Sequence, residues 1–260
     1  MGWWNMGKIT SKTDNELILR RRRKKKLRKT FLLFTLMISL FVTLCLKLPY
    51  FNIKAIQVLG TKNISQNDII LLSKISAGNN MFYIHLRDSE NNILSNPYIY
   101  SAEIVRKFPS TIQINVKERE AVFYNIKDNK NLVIDKNAIV LQQRDDIKGM
   151  KLIKLDGLDY SKVELGKTID DADSRRVDIV KALGDIIANN KILGIASVDV
   201  SNSVDIKIYC GSILIKVGSE DDIDKKMNKA LNILERKEVK GAKGYIDVSF
   251  DGNPVFFIQK

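Results

Sequence analysis

Hydrophobic positions along this chain fall into three rhythms, and the first is an unbroken run. From Phe31 to Leu46, sixteen residues pass with neither a charge nor a proline. As a helix rising 1.5 Å per residue the run covers about 24 Å, short of the ~30 Å hydrocarbon core of a bilayer. Lys47, Leu48, Pro49, Tyr50 and Phe51 lengthen it, because a lysine can snorkel to the interface and aromatic rings settle there. A transmembrane helix is therefore predicted over residues 31–51.

The second rhythm mixes helical and strand periods. Phe51–Leu59 predicts a strand with a phase slip near Ala55 that suggests a bulge. Ser65 with Asp68 three residues on is a capping-box start for a short helix through Lys74, which Ala77-Gly78-Asn79-Asn80 breaks. Arg87–Ser95 predicts a second helix, closed by Asn96-Pro97. Ile99–Lys107 and the alternating Thr111–Glu118 predict strands around the turn Phe108-Pro109-Ser110. Strand, helix, helix, strand, strand makes a small α+β domain over residues 52–120, with both helices on one face of the sheet.

Beyond residue 120 strands dominate. Leu132–Asp135 and Ala138–Leu141 flank Lys136-Asn137 as a hairpin, and Lys151–Leu155 adds another strand. Asp171–Asn189 predicts a helix from the spacing of Val177, Val180, Leu183 and Ile187. Ala196–Val200, Val204–Tyr209 and Ile213–Val217 predict three strands. Ser219 and Asp222 are set to cap a helix carrying Ile223, Met227, Leu231 and Leu234. Gly244–Phe250 and Val255–Gln259 close the pattern. Residues 121–260 thus predict a second domain, a mostly antiparallel sheet with two helices, and the fold class is α+β behind one transmembrane helix.

Charge orients the picture. The chain carries 43 Lys and Arg against 30 Asp and Glu, a net of +13, but 11 of those bases and only 2 acids lie in residues 1–30. The other 230 residues hold 32 bases and 28 acids, so the folded part offers no nucleic-acid footprint. The cluster Arg20–Lys29 abuts one end of the span, whereas Lys47, Lys54 and Lys62 follow the other end sparsely. By the positive-inside rule residues 1–30 form a basic cytoplasmic tail, able to touch anionic lipid, and the rest is exported. A cleaved signal peptide would have a shorter leading region and a small-residue cleavage site. A lipid anchor at Cys45 is disfavoured by the bulky Leu44 before it.

Candidate chemistry is sparse. His85 is the single histidine, Cys45 falls in the span, and Cys210 stands alone in the exported part. Neither a metal set nor a thiol–imidazole pair is implied, and Gly60-Thr61-Lys62 lacks the earlier glycine of a phosphate loop. Asp135, Asp156, Asp159, Asp247 and Asp251 sit at predicted turns or strand ends, where aspartate bonds its own backbone. No catalytic residue, cofactor or metal is predicted. A membrane-anchored cell-wall hydrolase would need a nucleophile or metal set, and a protein of protein translocation built on a transmembrane barrel would need room for that barrel.

Several stretches, in order, resemble the bacterial division family FtsQ, called DivIB in Gram-positive bacteria. Ile56–Gly60 with Ile64-Ser65 resembles the start of its POTRA domain, and Gly78-Asn79 with Met81-Phe82 fits the loop between that domain's helices. Asn96–Ile99, then Ala102–Thr111, then Val116–Arg119 is the most specific signature. Leu132–Leu141, Leu155–Leu158 and Tyr245–Phe250 resemble its β-domain. The resemblance implies a non-enzymatic scaffold in the cell membrane, concentrated at the division septum. Its implied partners are small single-pass coiled-coil proteins of the FtsB/DivIC and FtsL type, which helps control septal peptidoglycan synthesis. Other septal proteins would dock on the POTRA domain. The partner would be held by strand addition near the end of the β-domain, through Tyr245, Ser249 and Phe250 with Phe256 and Phe257 beyond. Only one parity of the strand is expected to make contact, and one of the two adjacent phenylalanines is expected to face outward. Val255-Phe256-Phe257 departs from the tryptophan of the Gram-negative form.

Overall fold

A computed structural model describes residues 10–190, 194–236, 239 and 241–259; Lys8 and the rest of residues 1–9 of the basic tail lie outside the described residues. Helix α1 (Thr10–Lys47) joins the basic segment to the apolar run without a break. Leu, Lys and Arg are good helix formers, and neither Gly nor Pro interrupts them. From Phe31 to Leu44 its large apolar side chains are exposed, including Phe34, Leu40 and Phe41. The segment Leu19–Lys47 is long and apolar enough to cross a membrane by length and composition. The predicted span 31–51 is not one helix, however. Pro49 disfavours helical geometry at Leu48, α1 stops at Lys47, and Pro49–Phe51 forms a separate 3-10 turn.

A three-stranded sheet follows, built from β1 (Ala55–Leu59), β2 (Ile99–Lys107) and β3 (Thr111–Glu118) in the order β1-β3-β2. Strand β3 is central, parallel to β1 and antiparallel to β2. Its alternation does what the sequence implies: Ile112, Ile114 and Val116 are buried. Helices α2 (Gln66–Ser73) and α3 (Leu86–Leu94) supply Ile69 and Ile93 to the same core. Ser65 caps α2 by accepting the Asp68 N–H at 3.1 Å. The phase slip near Ala55 is not a bulge. Asn52 makes an isolated bridge to Asn80 before β1 begins, so the chain changes role there.

The remaining strands form one nine-stranded sheet. They are β4 (Ala121–Lys127), β5 (Lys130–Asp135), β6 (Val140–Arg144), β7 (Ile153–Asp156), β8 (Ile195–Asp199), β9 (Ile206–Cys210), β10 (Ile213–Gly218), β11 (Lys243–Asp247) and β12 (Val255–Gln259). Their order is β12-β11-β10-β9-β8-β7-β4-β5-β6. Pairing is antiparallel except at β10–β11, β4–β7 and β7–β8. Helices α4 (Ser174–Asn190) and α5 (Ile223–Leu234) bury Val180, Leu183, Met227 and Ala230 in the core with Ile208, Ile215 and Ile246 of the sheet.

Three local expectations need correction. Strand β4, absent from the sequence reading, lies inside the sheet between β5 and β7, where Val122, Phe123 and Asn125 are all buried and no clean alternation survives. The β5–β6 connection is wider than Lys136-Asn137, because the Asp135 carboxylate accepts the N–H groups of Asn137 and Ile139, each at 2.8 Å, and organises the loop. Helix α5 does not use the foreseen cap. Asp222 sits at its start with φ 51° and no side-chain cap bond, and the Ser219 hydroxyl donates to Asp221 instead.

Where the two sheets meet, Arg119 donates to the nearly inaccessible carboxylate of Asp135 at 3.1 Å. The Tyr98 hydroxyl reaches Gln142 at 3.1 Å across the same junction.

Candidate partner-binding edge

Sheet order decides which backbone is open. Strand β11 is flanked by β10 and β12, so both of its edges are occupied. Among the described residues, strand β12 pairs only with β11 and ends the sheet. In such a strand alternate N–H and C=O groups point away from the sheet, where another strand can pair with them. The opposite end, β6, is partly covered: Val140 exchanges backbone hydrogen bonds with Gly166 at 2.8 Å and Lys167 at 3.1 Å.

The connection from β11 to β12 is short and fixed. Ser249 donates both its backbone N–H and its hydroxyl to one oxygen of Asp247, at 3.0 and 2.6 Å, which turns the chain out of β11. Lys229 of α5 donates to the Gly252 carbonyl at 2.9 Å. Between the strands, a Cβ added at Gly244 would stand 1.9 Å from the Phe257 carbonyl oxygen. Only glycine fits there while β11 and β12 remain this close.

Registers sort the side chains by face. Tyr245 lies opposite Phe257, and their rings stack at 5.7 Å with 26° between planes. Continuing across the sheet, Tyr245 pairs with Leu214 and Leu214 with Tyr209. The ammonium of Lys216 lies 4.6 Å from the Tyr245 ring centroid, a cation over the negative face of the π system. This row, Tyr209-Leu214-Tyr245-Phe257, lies on the face away from the helices and runs out to the open edge. Phe256 lies opposite the buried Ile246 and therefore faces the helical side, where the Arg236 guanidinium is 5.8 Å from its ring.

The five residues foreseen as contacts are thus not one patch. Tyr245 and Phe257 share the open face, Phe256 takes the opposite one, and Ser249 and Phe250 lie in the connecting loop. Both phenylalanines of β12 are exposed, 42 % for Phe256 and 53 % for Phe257, since neither face of the last strand is fully covered. Tyr209, Leu214 and Lys216 were missed. Their alternation was visible, but which strands stand beside β11 depends on the parallel β10–β11 pairing, which no single segment encodes.

Elsewhere the groups weighed as chemistry are placed apart. His85 is exposed at the start of α3, without a side-chain cap bond. Burial pushes the Cys210 thiol up to about 11, which leaves little thiolate at neutral pH. Among the described residues no three His, Cys, Asp or Glu side chains gather as metal ligands.

Comparison with known proteins then places the chain. The family model "POTRA domain, FtsQ-type" matches residues 51–119, and "Cell division protein FtsQ/DivIB, C-terminal" matches residues 123–249. The cell division protein DivIB of Clostridium botulinum strain Hall is 46 % identical over 98 % of this chain and 100 % of its own length. DivIB of Clostridium acetobutylicum is 42 % identical over 96 % of this chain and 100 % of its own. The chain belongs to the FtsQ/DivIB family of cell division proteins. A more distant member, FtsQ of Syntrophotalea carbinolica, is 26 % identical over 77 % of this chain and 71 % of its own length. The strand-helix-helix-strand-strand unit is the FtsQ-type POTRA region, and the nine-stranded sheet carries the FtsQ/DivIB C-terminal region. That C-terminal match ends at Ser249, one residue before Phe250 and ahead of β12.

Proposed function

We propose that this chain is a non-enzymatic scaffold of the bacterial division septum that captures small single-pass coiled-coil partners of the FtsB/DivIC and FtsL type. In doing so it helps control septal peptidoglycan synthesis. Residues 1–30 form the cytoplasmic tail, which rests on anionic lipid; residues 31–51 cross and leave the membrane; residues 52–120 and 121–260 are two exported domains. The family-model matches over residues 51–119 and 123–249 support that division. Other septal proteins dock on the POTRA domain.

The observation that carries the reading is the open edge of β12 beside an exposed row of apolar side chains. A partner segment adding as the next strand gains main-chain hydrogen bonds from β12 and specificity from alternate side chains. Tyr245 and Phe257 contribute from the open face. Phe256 contributes from the other face, and Ser249 and Phe250 act by holding the loop that presents the strand. Strand β11 itself acts through β12, because its own edges are filled.

Capture of tagged partners by the detergent-solubilised full chain tests this reading. Tyr245→Glu is expected to weaken capture at least tenfold, the order expected when a central aromatic anchor is removed, and Phe250→Ala, in the presenting loop, to weaken it less. Unchanged capture by both variants sinks strand addition at this edge.

A further inference from the structure

Four aromatic side chains form a continuous line where the membrane helix meets the POTRA region. Tyr50 and Phe51 have ring centroids 5.3 Å apart, Phe51 and Phe82 another 5.3 Å, and Phe82 and Phe108 5.9 Å. The inner members are part-buried, but Tyr50 is 60 % and Phe108 64 % exposed, and Tyr83 beside Phe82 is 61 % exposed. A folded domain rarely leaves three large rings in the open at one end without a reason.

The junction fixes where these rings lie along the helix. The buried Asn80 side chain donates to the carbonyls of Cys45 and Leu46, at 3.0 and 3.1 Å, and so caps the last turn of α1. Its carbonyl oxygen accepts the Phe82 N–H at 2.9 Å, starting the turn that carries Phe82 and Tyr83. Arg106 of β2 clamps that turn by donating to the Met81 and Ile84 carbonyls at 2.9 and 2.8 Å. Cys45 and Leu46 are the last residues of the uncharged run. Through Asn80, the POTRA rim is therefore hydrogen-bonded to the end of the apolar segment itself.

The strictly uncharged run Phe31–Leu46 covers about 24 Å, some 6 Å less than the hydrocarbon core, so flanking residues must complete the span. We propose that the rim supplies the missing length. Tyr50, Tyr83 and Phe108 sink into the lipid interface, and the POTRA domain sits on the bilayer as a collar around the emerging helix. The tyrosine rings, apolar in body and polar at the tip, favour this depth, and the purely apolar Phe108 ring gains by leaving water. Lys54, whose backbone N–H donates to Ser110 at 2.8 Å, and Lys107 before Phe108 are exposed beside the rim, as lipid phosphates require. The proposal rests on α1 crossing the membrane.

Depth-dependent quenching tests it. The full chain, with Trp3 and Trp4 replaced by Phe, is reconstituted into phosphatidylcholine–phosphatidylglycerol vesicles whose acyl chains are brominated near the headgroup or near the chain end. Single tryptophans are placed by F108W, Y83W or, within the span, F41W. The collar requires F108W and Y83W to lose emission with shallow bromines to the extent that F41W loses it with deep ones. If F41W is quenched while F108W and Y83W answer only to aqueous iodide, the collar is refuted and the span stands. If none is quenched by lipid, the collar falls together with the membrane reading.

Discussion

A single carboxylate holds the first loop of the POTRA region. Glu118, at the end of β3, accepts the backbone N–H groups of Lys62 at 2.6 Å, Asn63 at 2.9 Å and Ile64 at 3.1 Å. Burial alone would raise its pKa, but the N–H donors of residues 62–64 and the Asn63 side chain together hold it below the usual carboxylate value of 4.5. A depressed folded-state pKa contributes stability above the unfolded value, and that stability is lost as pH falls through the folded one. Glu118→Ala is expected to cost about 1 kcal/mol at neutral pH, because charge-assisted bonds are lost while water replaces them at the exposed N–H groups of Lys62 and Asn63. Urea titration of the solubilised chain should show this gap narrowing as pH drops to about 3. Local signals of this kind differ in how far a sequence reveals them. Ser65 with Asp68 was legible because a cap needs only neighbours. The Glu118 bonds span more than fifty residues and become visible only once β1 lies beside β3. The cap foreseen for α5 failed for a related reason: the Ser219 hydroxyl finds Asp221 and leaves the helix end alone.

Among elements, a regular alternation was the plainest signal. Strand β3 shows its alternation because its helix-covered face is buried and its other face is only partly so. Strand β4 buries both Val122 and Phe123 because its pairing with β5 shifts register between Ala121 and Phe123, which breaks the alternation at its start. The same limit applied to the candidate site. Residues 245–250 and 255–259 were both recognisable as late, apolar segments, but no local pattern says that β11 is enclosed and β12 open. Gly244 offers a way to test the pairing itself. Its missing side chain lets the Phe257 carbonyl pass within what would be 1.9 Å of a Cβ. Gly244→Ala must push β12 off β11 while leaving every exposed side chain of the edge unchanged. Partner capture should fall about as far as with Tyr245→Glu, by roughly tenfold. Hydrogen exchange should quicken at residues 255–259 and stay slow in β9. Normal capture by Gly244→Ala would mean that partners do not read β12 as a strand.

At the scale of the whole molecule, the proposed topology rests on how charge is wound onto one helix. Arg20–Lys26 are seven consecutive bases in α1, and at 3.6 residues per turn they ring the helix completely. In the proposed orientation that ring meets the anionic inner surface whichever way the helix rotates, at about 1 kcal/mol per residue near it. At the other end Lys47 stands alone before the POTRA region, and the Asn80 cap satisfies carbonyls that would otherwise face lipid. One end is thus an electrostatic stop and the other a folded one. Replacing Arg20–Lys26 by Ser and Gln keeps the apolar run and the POTRA junction intact but removes the inner stop. Protease added outside intact protoplasts should degrade the body of the parent chain, and after this replacement a substantial fraction should become protected. Complete degradation of both would show that the exported domains, rather than the basic ring, set the orientation. In that case the positive charge of the tail would serve lipid contact alone.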